Sequence, residues 1–401
     1  MLLATLFAAF CLVCSVLAFK RHPIYGLAFY MATTFVFPPG RWWGYLFGQT
    51  RWALLSAGLT ALAIAFHRGK LKPKSIWFSN WPALIICAYA AWMWLQTPAA
   101  LDVSEHIDGS IKYTKYLVAF WFIYRVADSK ERVRDVLQIH VFGCMLLGVL
   151  AFMTGREGDR LDGVGGPGID DANTLGMYLV TGAMVAAGLF LTQRGWRRWL
   201  NLAAFVIVAN GLVLTNSRGA VLAFVAGMLA LLLVKARRHR RIYWAFALSG
   251  AVGLVFVVDD AFIRRMYTIE DVTSKNDEAD MSARSRVEVA NAQIQMFLDH
   301  PMGTGHRGTV VLSPLYLDPK WLTTASGDDT AARASHNSFL TALVEQGFLG
   351  ALLFGSMNSR AARSLPLRMK RTRPSKRARP AAIRDRNESS SPAERSARRW
   401  R

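Results

Sequence analysis

Apolar runs alternate with short charged intervals along almost the whole chain. Runs of spanning or near-spanning length occupy residues 2–19, 24–37, 52–66, 82–95, 116–127, 136–154, 174–192, 199–214, 220–234, 242–258 and 338–354. A helix needs about 20 apolar residues to cross the hydrocarbon core, and fewer where it stands steeply or the bilayer thins. The pattern predicts an all-α fold, a polytopic transmembrane helix bundle of about eleven spans. One long polar interval, residues 259–335, precedes the last run. The expected layout is transmembrane helices over 1–258, a large outer loop over 259–335, a last transmembrane helix over 336–356 and a basic, disordered tail over 357–401. Inside the long loop, Val287, Ile294, Phe297 and Leu298 recur at helical spacing, which predicts an amphipathic helix ending near Asp299. Ser285 and Glu288 match a capping box, which sets Arg284 and Arg286 at the positive N-terminal end of that helix.

Charge orients the bundle. Basic residues collect at Lys20 and Arg21, 68–74, 130–134, 194–198 and 235–241, and the positive-inside rule puts those loops in the cytoplasm. Loops 38–51, 98–115, 155–171, 216–219 and 259–335 then face outward, with His336 at the outer mouth of the last span. A hydrophobic content of 53% with 13 tryptophans excludes an ordinary soluble protein of this length. The first segment has no positively charged start and no small-x-small cleavage site, so it reads as a retained span. Much of the net charge of +21 lies in the tail, which lacks aromatics apart from Trp400; nucleic-acid binding is not expected, and the basic inner loops suit the anionic leaflet of a bilayer. After Gly355 the apolar periodicity stops and Arg, Pro, Ala and Ser dominate, the signature expected of a shifted reading frame or a truncated natural C-terminus. Cys11, Cys14, Cys87 and Cys144 all fall in apolar segments, which leaves no disulfide framework.

Candidate chemistry gathers on the outer side. The glycine-rich interval from Gly155 to Asn173 lets backbone amides converge on an anion, with Arg160 adding charge. No strand precedes it and no Gly-Lys-Ser/Thr follows, so it is not a nucleotide loop; a flexible outer loop, with Asp171 and Asn173 capping the next helix, is the other reading. Arg218 sits where two apolar runs meet with almost no loop, on the side the positive-inside rule disfavours. A guanidinium there can grip a phosphate bidentately, or else snorkel or cap the turn. His106, His300, His306 and His336 fit no metal spacing, so no metal is expected. Glu345, inside a span, must face the bundle interior or pair, while Gly347 and Gly350 allow close helix packing.

These residues together resemble the O-antigen ligase family, the Wzy_C-type membrane glycosyltransferases. His336-Asn337, nine residues, then Gly347-x-x-Gly350 is similar to the family's histidine motif. Ser217-Arg218-Gly219-Ala220 running to Leu222 looks like its arginine motif, and Arg286 followed by a helix and Asp299-His300-Pro301-Met302-Gly303-Thr304-Gly305 looks like its loop element. The segment from Arg160 to Asn173 resembles an outer-loop element ending in Asp-Pro-Asn, with Ala172 in place of the proline. Other departures are Ala290 where tryptophan is common and the tail from Met357 where an apolar segment is expected. The resemblance implies a bacterial inner-membrane enzyme facing the periplasm, which moves a glycan from undecaprenyl pyrophosphate to an acceptor hydroxyl on lipid A core, protein or polysaccharide. It implies no nucleotide, metal or other cofactor and an inverting transfer. It casts His336 as the catalytic residue and Arg218 and Arg286 as pyrophosphate ligands, with Arg160, Asn173, Arg284 and Asn337 in support. A Wzy-type polymerase shares this chemistry. A secondary anion transporter is the alternative from another class, although no inverted repeat is visible.

Overall fold

The computed structural model describes residues 2–48, 50–72, 76–155, 161, 163–169, 171–234, 277–322, 332–335 and 337–371, of which 231–234, 277–283 and 358–371 by backbone alone. The predicted span 242–258 and the tail from residue 372 lie outside the described residues. Among the described residues there is no strand. The helices are α1 (Leu2–Lys20), α2 (Ile24–Val36), α3 (Trp52–Phe66), α4 (Trp81–Leu95), α5 (Val103–Val126), α6 (Lys130–Thr154), α7 (Ala172–Thr192), α8 (Trp196–Leu214), α9 (Arg218–Val234), α10 (Asp277–Asp299), α11 (Gly308–Tyr316) and α12 (Ser338–Arg371).

Among the described residues, five helices are long and apolar enough to cross a membrane: α1, α6, α7, α8 and the first 20 residues of α12. Together with the shorter apolar helices α3, α4 and the first part of α9, they make this a multi-pass membrane protein. Large apolar side chains on these helices, such as Leu12 on α1 and Leu62 on α3, point outward, as a lipid-facing surface requires. Inside, α7 packs against α6, α8 and α9, and α6 against α8 and α2. Small residues make that packing possible: Ala183, Ala186, Ala187 and Ala204 are fully buried, and a Cβ added to Gly211 would come within 3.0 Å of the Gly148 Cα. Where lipid competes for apolar surface, such close backbone approach replaces the hydrophobic effect as the attraction between helices.

Polar side chains set the helix starts. Asp102 accepts from the Glu105 amide at 3.0 Å and begins α5; Ser129 accepts from the Arg132 amide at 3.2 Å and begins α6; Asp171 accepts from the Asn173 and Thr174 amides and begins α7. The cap at Asp102 corrects one expectation: the outer loop at 98–115 is helical from Val103 onward. Its charged residues obscured the helix in a pattern read for apolar runs. The flexible-loop reading of 155–171 is also corrected where that segment is described. Leu161, Val164 and Ile169 are buried in the core, and Arg41 ties the segment to the preceding outer loop, donating to the carbonyls of Val164 at 2.9 Å and Val36 at 2.7 Å.

α10 starts earlier than its sequence suggests. It begins at Asp277, so Ser285 is an interior residue and not a cap, and Arg284 and Arg286 lie well inside the helix. The buried face is Ser285, Ala292, Gln293 and Met296, packed on α11 and α12. Val287, Ile294 and Leu298 are instead 58%, 44% and 62% exposed. Three residues of the stripe read from the sequence thus face outward, while Phe297 packs against the buried cluster that includes Ala292 and Met296. α12 also differs from expectation at its end, continuing as backbone helix to Arg371 beyond the apolar run that ends at residue 354. Ala, Leu, Met, Lys and Arg there are good helix formers added to an existing helix.

Candidate functional site

The Gly347 position shapes one end of the bundle. Its φ of 66° and ψ of −170° break α12 into two segments, and a Cβ there would overlap the Met302 carbonyl group. Such a backbone is open essentially to glycine alone. The break frees carbonyls that a continuous helix would bond internally. The loop after α10 satisfies them: the Thr304 amide donates to Val344 at 3.1 Å and the Gly305 amide to Glu345 at 2.9 Å, while the Trp92 indole donates to Gln346 at 2.7 Å. In return the Phe348 amide donates to the Pro301 carbonyl at 3.0 Å. The Asp299 to Gly305 loop and the Gly347 motif, far apart in sequence, are therefore one structural unit. The expected role of Gly347 in helix packing is replaced by this break; Gly350 does lie against Trp92.

Glu345 is buried beneath the same loop, with a carboxylate oxygen 3.4 Å from His306 Nδ1. His106, also buried, accepts from the His306 amide at Nδ1 at 2.8 Å, which leaves its Nε2 to donate to the Met93 carbonyl at 2.7 Å. Both histidines hold the loop after α10 against α4 and α5.

Beside this unit lies a cavity of about 430 Å³ between α10 and the segment leading into α12. Its polar wall comprises Arg286, Gln293, Arg333, Ser335 and Asn337, and Phe339 stands at its apolar end. Among the described residues no carboxylate lines it, and the guanidinium groups of Arg286 and Arg333 are its cations. Arg333 anchors the segment that enters α12. Its amide donates to Ser313 Oγ at 2.7 Å, Nη2 donates to Ser285 Oγ at 3.1 Å, and Nη1 donates to the Trp321 carbonyl. Ser335 donates to Gln293 Oε1 at 2.8 Å and accepts from the Asn337 amide at 3.0 Å. The Asn337 side chain caps α12, accepting from the Phe339 and Leu340 amides at 3.1 and 3.3 Å. Gln293 is buried with its Nε2 unpaired among the described residues, a donor held at the cavity wall.

Arg218 belongs to a second cluster. Asn216 takes a left-handed turn at φ 53°, which lets α8 reverse into α9 within three residues. Ser217 Oγ donates to Asn173 Oδ1 at 2.9 Å and accepts from the Ala220 amide at 3.4 Å, so Asn173 is fixed to the turn that carries Arg218. Arg218 is half-buried at the N-terminus of α9, where the helix dipole favours an anion.

The predicted residues therefore fall into two groups, Arg218 with Asn173 on α9 and α7, and Arg286 with Asn337 at the cavity. Arg284 is two residues from Arg286, about 200° round the helix, and is not part of the cavity wall. His336 and Arg160 lie outside the described residues. His336 directly follows Ser335 and precedes Asn337, both in the wall. Arg333 and Gln293 were not expected. Their signals were present: Arg333 is three residues before His336, and Gln293 is seven after Arg286, on the same helical face.

Residues 203–355 match the model of the Wzy_C family, O-antigen ligase. That stretch is similar to an O-antigen ligase domain. No curated protein and no solved structure matches the chain. The matched stretch includes Arg218, the whole cavity wall and both halves of the broken helix up to Gly355. With the membrane-length helices, the match suggests a membrane enzyme of glycosyltransferase type.

Proposed function

We propose that the protein transfers a glycan from undecaprenyl pyrophosphate to an acceptor hydroxyl at the periplasmic face of the inner membrane. The observation that carries this reading is the cavity that Arg286 lines, with no carboxylate among the described residues of its wall, at the start of a helix long enough to cross a membrane and next to His336 in sequence. An amphiphile with an anionic head suits such a place, polar at Arg286 and apolar at Phe339. In the reaction, the acceptor oxygen bonds to the anomeric carbon as the bond from that carbon to the pyrophosphate oxygen breaks. His336 takes the hydroxyl proton, since an imidazole titrates near neutrality in its unperturbed state. Arg286, with Arg218 contributing from the α8–α9 turn, stabilises the pyrophosphate as charge develops on it. Displacement at that carbon inverts its configuration. The acceptor is a lipid A core, a protein or a polysaccharide hydroxyl.

Substituting His336→Ala is expected to abolish transfer while carrier-linked glycan accumulates in the membrane, measured by extraction and gel analysis of the lipid-linked pool. Full transfer by that variant would overturn the assignment. The length of the product chain separates ligation from polymerisation: a ligase delivers a preformed glycan in one step, a polymerase lengthens the carrier-linked one.

A further inference from the structure

A second cavity, of about 250 Å³, lies at the opposite ends of the helices, between the first turns of α6 and the first turn of α8. On α6 its wall is Arg134, Gln138 and Phe142, four residues apart and so on one face; on α8 it is Arg197 and Leu200 beside Trp196. Each four-residue step rises about 6 Å along the axis, so the groove passes from cationic through amide to apolar over about 12 Å. The amide level is a closed network. Fully buried Asn201 accepts from Gln138 Nε2 at 3.0 Å and donates to Gln138 Oε1 at 3.1 Å and Gln193 Oε1 at 3.0 Å. Above it the cations stay available: Asp135, the one carboxylate in the wall among the described residues, is engaged by Arg132 at 3.0 Å. Gly195 gives α8 no side-chain cap, so its first amides add positive potential at the same level.

We propose that this groove binds an anionic phospholipid, with the phosphodiester between Arg134 and Arg197 and an acyl chain along Phe142 and Leu200. α6 and α8 both have the length and composition of membrane spans, which sets their arginine-bearing ends at a membrane interface. A free phosphate would leave the apolar half of the groove empty, so the graded wall favours a lipid. The site is independent of the transfer reaction; it braces α6 against α8 beneath the central packing of the bundle.

The test uses the full chain in neutral detergent, with melting temperature read after addition of phosphatidylglycerol, phosphatidylcholine of the same acyl chains, or inorganic phosphate. Phosphatidylglycerol is expected to raise the melting temperature by about 3 °C or more, and the other two to leave it unchanged. The double variant Arg134→Gln, Arg197→Gln should lose that shift, whereas Lys20→Gln, Arg21→Gln should keep it. Retention of the full shift by the first pair, or the same shift with inorganic phosphate alone, would overturn the site. If the arginine variant starts from a lower melting temperature, native mass spectrometry decides: one fewer retained phosphatidylglycerol supports the site, and unchanged retention sinks it.

Discussion

At the scale of single residues, the candidate site depends as much on what holds its side chains as on the groups that face substrate. Arg333 joins three elements through Ser285, Ser313 and Trp321, and the chain reaches His336 three residues later. Replacing it with alanine should leave donor binding nearly intact and lower kcat by about 10- to 100-fold, because the entering segment is no longer fixed. Arg333→Lys should not rescue, since one ammonium cannot span the Ser285 hydroxyl and the Trp321 carbonyl as a forked guanidinium does. Steady-state kinetics with carrier-linked donor read both parameters, and a selective rise in KM would show that Arg333 binds donor directly. The sequence made Arg218 and Arg286 legible because each is a cation set against an apolar stretch or a helix. Arg333 was not legible: its partners are a serine inside α10 and a carbonyl on a loop, and tertiary hydrogen bonds of that kind leave no local pattern. Arg284 lies off the cavity wall although it is two residues from Arg286, since adjacency in sequence says nothing of helical face until the register is known.

At the scale of elements, hydropathy predicted the long spans well and the interfacial helices poorly. α1, α6, α7, α8 and the start of α12 are continuous apolar runs, which need only counting. α5 and α10 carry charges throughout, so their starts depend on caps and on packing against other parts of the chain. The break in α12 was hidden in a glycine that also reads as a packing contact. It yields a clear pair of expectations. Gly347→Ala forces a side chain into a glycine-only backbone against Met302 and should cost at least about 2–3 kcal/mol, seen as a large fall in melting temperature or loss of folded protein. Gly355→Ala, in open space on the same helix, should be neutral or slightly stabilising. Equal tolerance of both substitutions would mean that the break does not exist.

For the molecule as a whole, stability rests on small residues between α6, α7 and α8 more than on large apolar side chains. A Cβ at Gly182 would overlap Cys144, and lipid offers the displaced helix an equally apolar alternative. Gly182→Leu is therefore expected to abolish a monodisperse peak in fluorescence-detected size exclusion, whereas Leu62→Ala on the lipid-facing side of α3 should leave it unchanged. Symmetric loss, or no loss, in the two variants would contradict the packing described. The all-helical, membrane-spanning character of the chain was evident from composition and periodicity, but the inward side of each helix was not, because in a bilayer both faces are apolar.

The interrupted α12 also bears on how the protein is made. Its exposed carbonyls at Val344 and Glu345 are satisfied by amides of Thr304 and Gly305, and that of Gln346 by the Trp92 indole. A segment with this gap cannot sit comfortably in hydrocarbon alone. Both α4 and the loop after α10 must be in place before α12 acquires its final form. A molecule in which that loop is delayed or cleaved is therefore expected to insert α12 without the partners that its break requires.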